Sequence, residues 1–148
     1  MSNGQDAARL GAAVGELYRL LRRSANQRAN RAALPLAQVE LLLVIRAHPG
    51  VSVKEAAGRL RAAPNTVSTL VGDLATAGLL ERERDPADGR VVRLRLTPAA
   101  RNRMADYERH RTELLTEALS ELDPAARDAL NAAVPHLDRL AVLLGGPT

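Results

Sequence analysis

The chain has 148 residues, a formal net charge of +4, 46% hydrophobic and 26% charged residues, and no cysteine. That is enough chain for one domain with a sizeable core, and it leaves no thiol for a disulfide, a thiolate metal site or a redox switch. The longest apolar run, Leu41 to Ile45, is far shorter than a membrane span, and no charged stretch leading into an apolar one opens the sequence; a cytoplasmic protein with no membrane partner is expected.

Leu10, Val14, Leu17 and Leu21 recur at helical spacing and predict a first amphipathic helix over about Asp6 to Arg31. Pro35 to Ala47 reads as a second helix, and because Leu41 to Ile45 is apolar nearly all round, this helix is expected to be buried. His48-Pro49-Gly50 is a turn. Ser52 and Glu55 then form a capping box, S-V-K-E, in which hydroxyl and carboxylate each take the other's backbone N–H, so a helix starts at Val53 and ends near Leu60. Pro64-Asn65 opens the next helix, proline lacking a donor that the first turn leaves unpaired anyway. Its buried stripe is Val67, Leu70, Val71 and Leu74; Asn65, Thr66, Ser68, Thr69, Gly72 and Asp73 are left facing outward, and Gly78 stands where a left-handed residue ends a helix.

Beyond Gly78 the period changes from helical to two. Val92, Leu94 and Leu96 alternate with Arg93 and Arg95, as on a strand with one wet face, and Leu79 to Arg84 supplies its partner. Asp85-Pro86-Ala87-Asp88-Gly89-Arg90 between them is a turn by composition. Thr97 and Pro98 begin a long helix carrying Met104, Tyr107, Leu114, Leu115, Ala118 and Leu122. Asp123-Pro124 begins a last one with Leu130, Leu137, Leu140 and Leu144 on one stripe, which Pro135 should kink. The fold expected is mainly α with a small β-hairpin wing: a winged helix-turn-helix over residues 35–97, flanked by helices at 6–34 and 98–145, one domain in all. The terminal leucine stripes exceed what so small a winged domain can cover and call for a partner.

Terminal helices around a winged helix-turn-helix, the run TVSTLVGDLATAGLLER from Thr66 to Arg82, and the wing from Asp85 to Arg90 followed by VVRLRLT resemble the multiple antibiotic resistance regulator (MarR) family over nearly the whole chain. The resemblance implies a homodimer joined by its first and last two helices. It also implies binding to a pseudo-palindromic site on double-stranded DNA, usually as a repressor released by a small molecule. Family members usually carry an arginine or lysine within the run matching Thr66 to Asp73 and a second arginine in the wing, where this chain has Thr69, Asp73 and Ala87. DNA binding weaker or more salt-sensitive than is typical is therefore expected, since phosphate affinity follows the contacts neutralised.

In a helix-turn-helix the opening residues of the second helix face base edges, here Ala63, Pro64, Asn65, Thr66, Ser68 and Thr69. Asn65 suits adenine, to which its amide can bond twice; the blander role is assistance to the helix cap. Arg90 matches the family's minor-groove arginine, and Asp88 is expected to orient it through an ion pair. Arg93 and Arg95 read as a solvated strand face. Glu108, Glu113 and Glu117 read as partners of arginines on their own helix. His48, His110 and His136 lack ligand spacing, so no metal is expected, and with no phosphate loop or nucleophile elbow neither a cofactor nor enzyme activity is expected. The resemblance places an effector cleft between the first, second and fifth helices. With only Tyr18 and Tyr107 as aromatics, an aliphatic pocket with arginine at its mouth, suited to a small organic anion, is expected. The alternative is a winged-helix dimer that serves as a protein-interaction or ligand-binding module without operator binding, which salt-dependent binding to promoter DNA would distinguish.

Overall fold

The computed structural model describes residues 2–145. Along them run α1 (Asn3–Arg28), α2 (Leu36–Ala47), α3 (Val53–Leu60), α4 (Pro64–Thr76), β1 (Leu80–Arg84), β2 (Val92–Leu96), α5 (Pro98–Ser120) and α6 (Pro124–Gly145). The boundaries follow local chemistry. At α3 the Glu55 amide donates to Ser52 Oγ at 3.1 Å and the Ser52 amide to Glu55 Oε2 at 3.3 Å, completing the capping box. Thr97 accepts from the Ala100 amide at 3.1 Å while its hydroxyl donates to the Gly78 carbonyl at 2.7 Å, so one side chain ties the end of α4 to the start of α5. Gly78 takes φ +74, as its place after α4 requires. The first helix begins at Asn3, ahead of its leucine spacing, and it ends earlier than that spacing suggests because the chain turns at Asn30, whose φ of +52 is a conformation that asparagine tolerates.

The core lies within the winged unit. Leu41, Leu42 and Ile45 of α2, Val67, Val71 and Leu74 of α4, Leu80 of β1, Leu94 and Leu96 of β2, and Ala100 of α5 form one buried cluster. The expectation of an all-round buried second helix is corrected: Leu36 and Leu43 of α2 are exposed, because the core covers only one side of it. The antiparallel hairpin pairs Leu80 with Leu96 and Glu83 with Arg93. Its second strand is engaged on the other edge as well, the Gly50 amide donating to the Leu94 carbonyl and the Leu94 amide to the Val51 carbonyl, both at 2.9 Å. The capping segment thus doubles as a strand edge that stitches the wing to the α2–α3 turn.

The terminal helices are differently placed. α1 packs along α5 but buries only Ala25, and α6 buries no residue, running on through Pro135 without ending there. Leu10, Val14 and Leu17 of α1 and Leu130, Leu137 and Leu144 of α6 are all exposed. Among the described residues no helix is long and apolar enough to cross a membrane.

The acidic residues of α5 also differ from expectation. Glu117 accepts two hydrogen bonds from Arg28 of α1 at 3.0 and 2.5 Å, and Glu108 one from Arg46 of α2 at 2.7 Å. Only Glu113 keeps a partner one turn away, Arg109 at 3.3 Å. Interhelix pairing wins because α1 and α2 bring arginines within reach of α5 on opposite sides, Glu108 and Glu117 being nine residues and so half a turn apart in direction. The Arg28 hydrogen bond holds the Glu117 carboxyl below the usual range.

Leu74→Ala empties a site at the centre of the buried cluster and should lower unfolding free energy by about 2–5 kcal/mol, read by urea denaturation followed by circular dichroism.

Candidate nucleic-acid interface

Which face of α4 meets solvent is decided by Val67, Val71 and Leu74, which are buried; Ala63, Pro64, Asn65, Thr66, Ser68 and Thr69 are all exposed as a consequence. Ala63 is the N-cap and Pro64 the first helical residue, with no side chain capping the amides of that first turn. The cap role considered for Asn65 is therefore not the one it plays. Thr69 turns its hydroxyl to the Asn65 carbonyl at 3.1 Å, leaving the oxygen's lone pairs outward. The helix presents amide, hydroxyl and methyl groups suited to base edges. It carries no lysine or arginine, and its one charge is Asp73.

The turn before α4 depends on Arg61, a non-glycine residue at φ +52 whose guanidinium donates to the Gly145 carbonyl at the end of α6 at 2.9 Å. Neither feature is visible in the sequence, which marks the turn only by Pro64.

The wing loop is built on two aspartates. Asp85 Oδ1 accepts from the amides of Ala87 at 2.8 Å and Asp88 at 3.3 Å, and its other oxygen accepts from Arg93 at 3.0 Å. The Ala87 amide foremost, then Arg93 and the Asp88 amide, hold the Asp85 carboxyl below its ordinary value. Asp88 Oδ1 accepts from both the amide and Nε of Arg90, at 3.1 and 3.2 Å, and so brings the two expected wing residues together. The Arg90 side chain is 92% exposed beyond that contact.

Arg93 is the residue sequence reasoning misplaced. In place of a solvated strand face, its guanidinium joins Asp85 of the wing to Glu55 of the capping box at 3.7 Å and donates to the Gly50 carbonyl at 3.4 Å. Arg95 pairs with Glu83 across the hairpin at 3.4 Å, half exposed. The alternation of β2 gave both arginines the same outward side. Both guanidiniums reach Gly50 of the α2–α3 turn, and the acidic partners separate their roles: Asp85 and Glu55 for Arg93, Glu83 for Arg95.

A second feature lies away from this face. A cavity of about 430 Å³ opens between α1, α2 and α5, with Leu36, Leu43, Met104, Tyr18, Tyr107 and Arg111 among its walls. The expectation of an aliphatic pocket is corrected, since both of the chain's tyrosines line it, and Arg111 lies over the Tyr107 ring at 5.8 Å from its centre. Burial raises the Tyr107 phenol above its usual pKa, keeping it a neutral donor. Arg103 at the same wall donates to the Ala32 carbonyl at 2.7 Å, and its burial makes its charge costlier. Among the described residues no group of three His, Cys, Asp or Glu side chains is placed to hold a metal. His110 Nδ1, buried, lies 3.4 Å from Glu113 without a hydrogen bond.

A model of the MarR family matches residues 34–91, the stretch from α2 to the wing. An uncharacterised HTH-type transcriptional regulator of Mycobacterium leprae is 29% identical over 132 residues, 89% of this chain and 90% of that protein. A solved Pseudomonas aeruginosa protein, proposed to be a transcriptional regulator, is 32% identical and superposes with a TM-score of 0.82 over 95% of this chain and 98% of its own. A mutant of S. aureus MepR, solved bound to an oligodeoxyribonucleotide, shares the fold at a TM-score of 0.68 and 17% identity, covering 92% of this chain and 97% of that one.

Asp85→Ala removes the acceptor shared by the two wing amides and Arg93, so hydrogen exchange at Ala87 and Asp88 should quicken severalfold while α4 stays protected. Because the folded-state carboxyl is depressed, its contribution to the wild-type wing is present above the unfolded-state value and is lost only as the pH falls below that range. Those amides should accordingly keep their protection from pH 7 to 5 and lose it in acid.

Proposed function

The chain belongs to the MarR family of transcriptional regulators, and on that premise we propose that it works in the cytoplasm as a homodimeric repressor that binds a pseudo-palindromic operator until a small organic anion occupies the cavity between α1, α2 and α5. The observation that carries this reading is the outward polar face of Asn65, Thr66, Ser68 and Thr69 on a helix anchored by its buried stripe, accompanied by a wing arginine that Asp88 holds. In this reading α4 enters the major groove and Arg90 the minor groove. The oligonucleotide in the related MepR structure supports DNA as the ligand of this fold.

Dimerisation is supported by the exposed leucines of α1 and α6, apolar faces that a lone subunit leaves in water. Repression then follows from occupancy of the operator. An anion is favoured in the cavity because Arg22, Arg31, Arg103 and Arg111 outnumber Glu40 and Glu108 on its walls. The absence of any lysine or arginine from α4 favours a second reading, a winged-helix dimer that binds a protein or a ligand without an operator.

At micromolar concentration sedimentation should give about 32 kDa, twice the 15.9 kDa chain. Leu137→Arg should dissociate or precipitate the dimer by leaving a charge unpaired in an apolar interface; a monodisperse wild-type monomer would refute the assembly.

Two substitutions at the DNA face should fail differently. Asn65→Ala removes a base reader and should reduce discrimination between operator and unrelated DNA by ~1–3 kcal/mol with an unchanged salt slope. Arg90→Ala removes a charge from each half-site, weakening binding to every sequence and lowering the log K against log salt slope by about 2 per dimer. Fluorescence anisotropy at several salt concentrations reads both. Affinity and slope unaltered in both variants would favour the interaction module.

A further inference from the structure

Beside the 430 Å³ cavity lies a second hollow of about 330 Å³, and the two share the side chains of Tyr18, Arg22, Asn26 and Arg31 as a common wall. Each is large enough by itself for a drug-sized molecule, for which roughly 300–1,000 Å³ is usual. Their chemistry is segregated. The larger is floored by Leu36, Leu43, Met104 and Tyr107 and has Glu40 and Glu108 at its edges. The smaller adds Arg19 and Arg23 to the shared arginines, with Gln27 beside them, and has no acidic residue in its lining. Arg22 is anchored on the Leu34 carbonyl, which leaves its charge unneutralised at the shared wall.

The remaining cations are partly engaged. Arg19 pairs with Glu16 at 2.5 Å on the solvent side, and Arg31 approaches Asp106 at 3.8 Å. Among the described residues no carboxylate pairs with Arg23. Several guanidinium forks around one hollow, with the Asn26 and Gln27 amides among them and no acid in the lining itself, suit a phosphate better than a single carboxylate. Position also matters. With 3.6 residues per turn, Arg19 and Arg23 fall on the side of α1 opposite Leu10, Val14, Leu17 and Leu21, so a dimer formed through that stripe leaves the hollow open.

We propose that the two hollows form one extended site for an amphiphilic organic phosphate, its apolar chain or ring in the larger cavity and its phosphate among Arg19, Arg22, Arg23 and Arg31 in the smaller. This rests on the larger cavity being an anion-responsive ligand site. It goes further in naming a dianionic headgroup and in assigning Arg19 and Arg23, which the larger cavity does not use, to its recognition.

Isothermal titration of the full-length protein with octanoate, octyl phosphate and inorganic phosphate tests it. Octyl phosphate should bind at least about tenfold tighter than octanoate, the gain of charge-assisted bonds to a headgroup of nearly two charges, and both should bind more tightly than inorganic phosphate. The double variant Arg19→Gln/Arg23→Gln should abolish that preference while leaving octanoate affinity and the melting temperature unaltered. Met104→Trp, which fills the larger cavity, should weaken both amphiphiles. Octyl phosphate no tighter than octanoate, or a preference that survives the double variant, would overturn the phosphate site and leave the larger cavity as an anion site. Binding of neither amphiphile would overturn both.

Discussion

Burial of Val67, Val71 and Leu74 in the core shared with α2, α3 and β1 is the constraint on which the rest of the interface depends. Three positions on one side of a helix, each removed from water at a gain of about 1.5–3 kcal/mol, leave α4 no freedom to rotate about its axis. Its outward residues are then determined as firmly as its inward ones. Asn65, Thr66, Ser68 and Thr69 need no contact of their own to be presented to a ligand, because the apolar side orients them.

The wing is aimed by a different kind of contact. A two-stranded hairpin alone is marginal in water. Here β2 is held from both edges, and Arg93 adds charged bonds to the loop on one side and to the α3 capping box on the other. These ion pairs are partly exposed and individually small in energy. Their contribution lies in direction: they define where the loop sits relative to the helix-turn-helix, and the Asp88 contact then defines where Arg90 points.

The flank formed by α1, α2 and α5 follows a third pattern, in which arginine bonds span elements that share little core. Arg28 bonds Glu117, Arg46 bonds Glu108 and Arg103 bonds the Ala32 carbonyl, and of these residues Arg103 and Glu108 stand in the wall of the cavity. A packed interior would leave no room for a ligand, whereas polar clasps can hold helices apart at fixed spacing. The leucines of α1 and α6 stay uncovered within one chain, so these helices have most reason to meet another molecule.

The sequence by itself determined whatever is settled within a few residues along the chain: the Ser52–Glu55 box, the Thr97 cap, the left-handed Gly78, the buried stripe of α4 and the alternation of β2. Hydrogen bonds and periodicities of that range depend on neighbours already fixed by the covalent chain. The tertiary structure alone decided that Arg28 meets a glutamate 89 positions away and Arg46 one 62 positions away, where sequence pattern suggests partners within a turn. It alone separated Arg93 from Arg95, put Arg61 at positive φ, exposed Leu43, and gathered Tyr18 and Tyr107 around one cavity. A long flexible guanidinium reaches several acceptors at little difference in energy, so which one it finds depends on which elements packing brings near, and no local pattern records that choice.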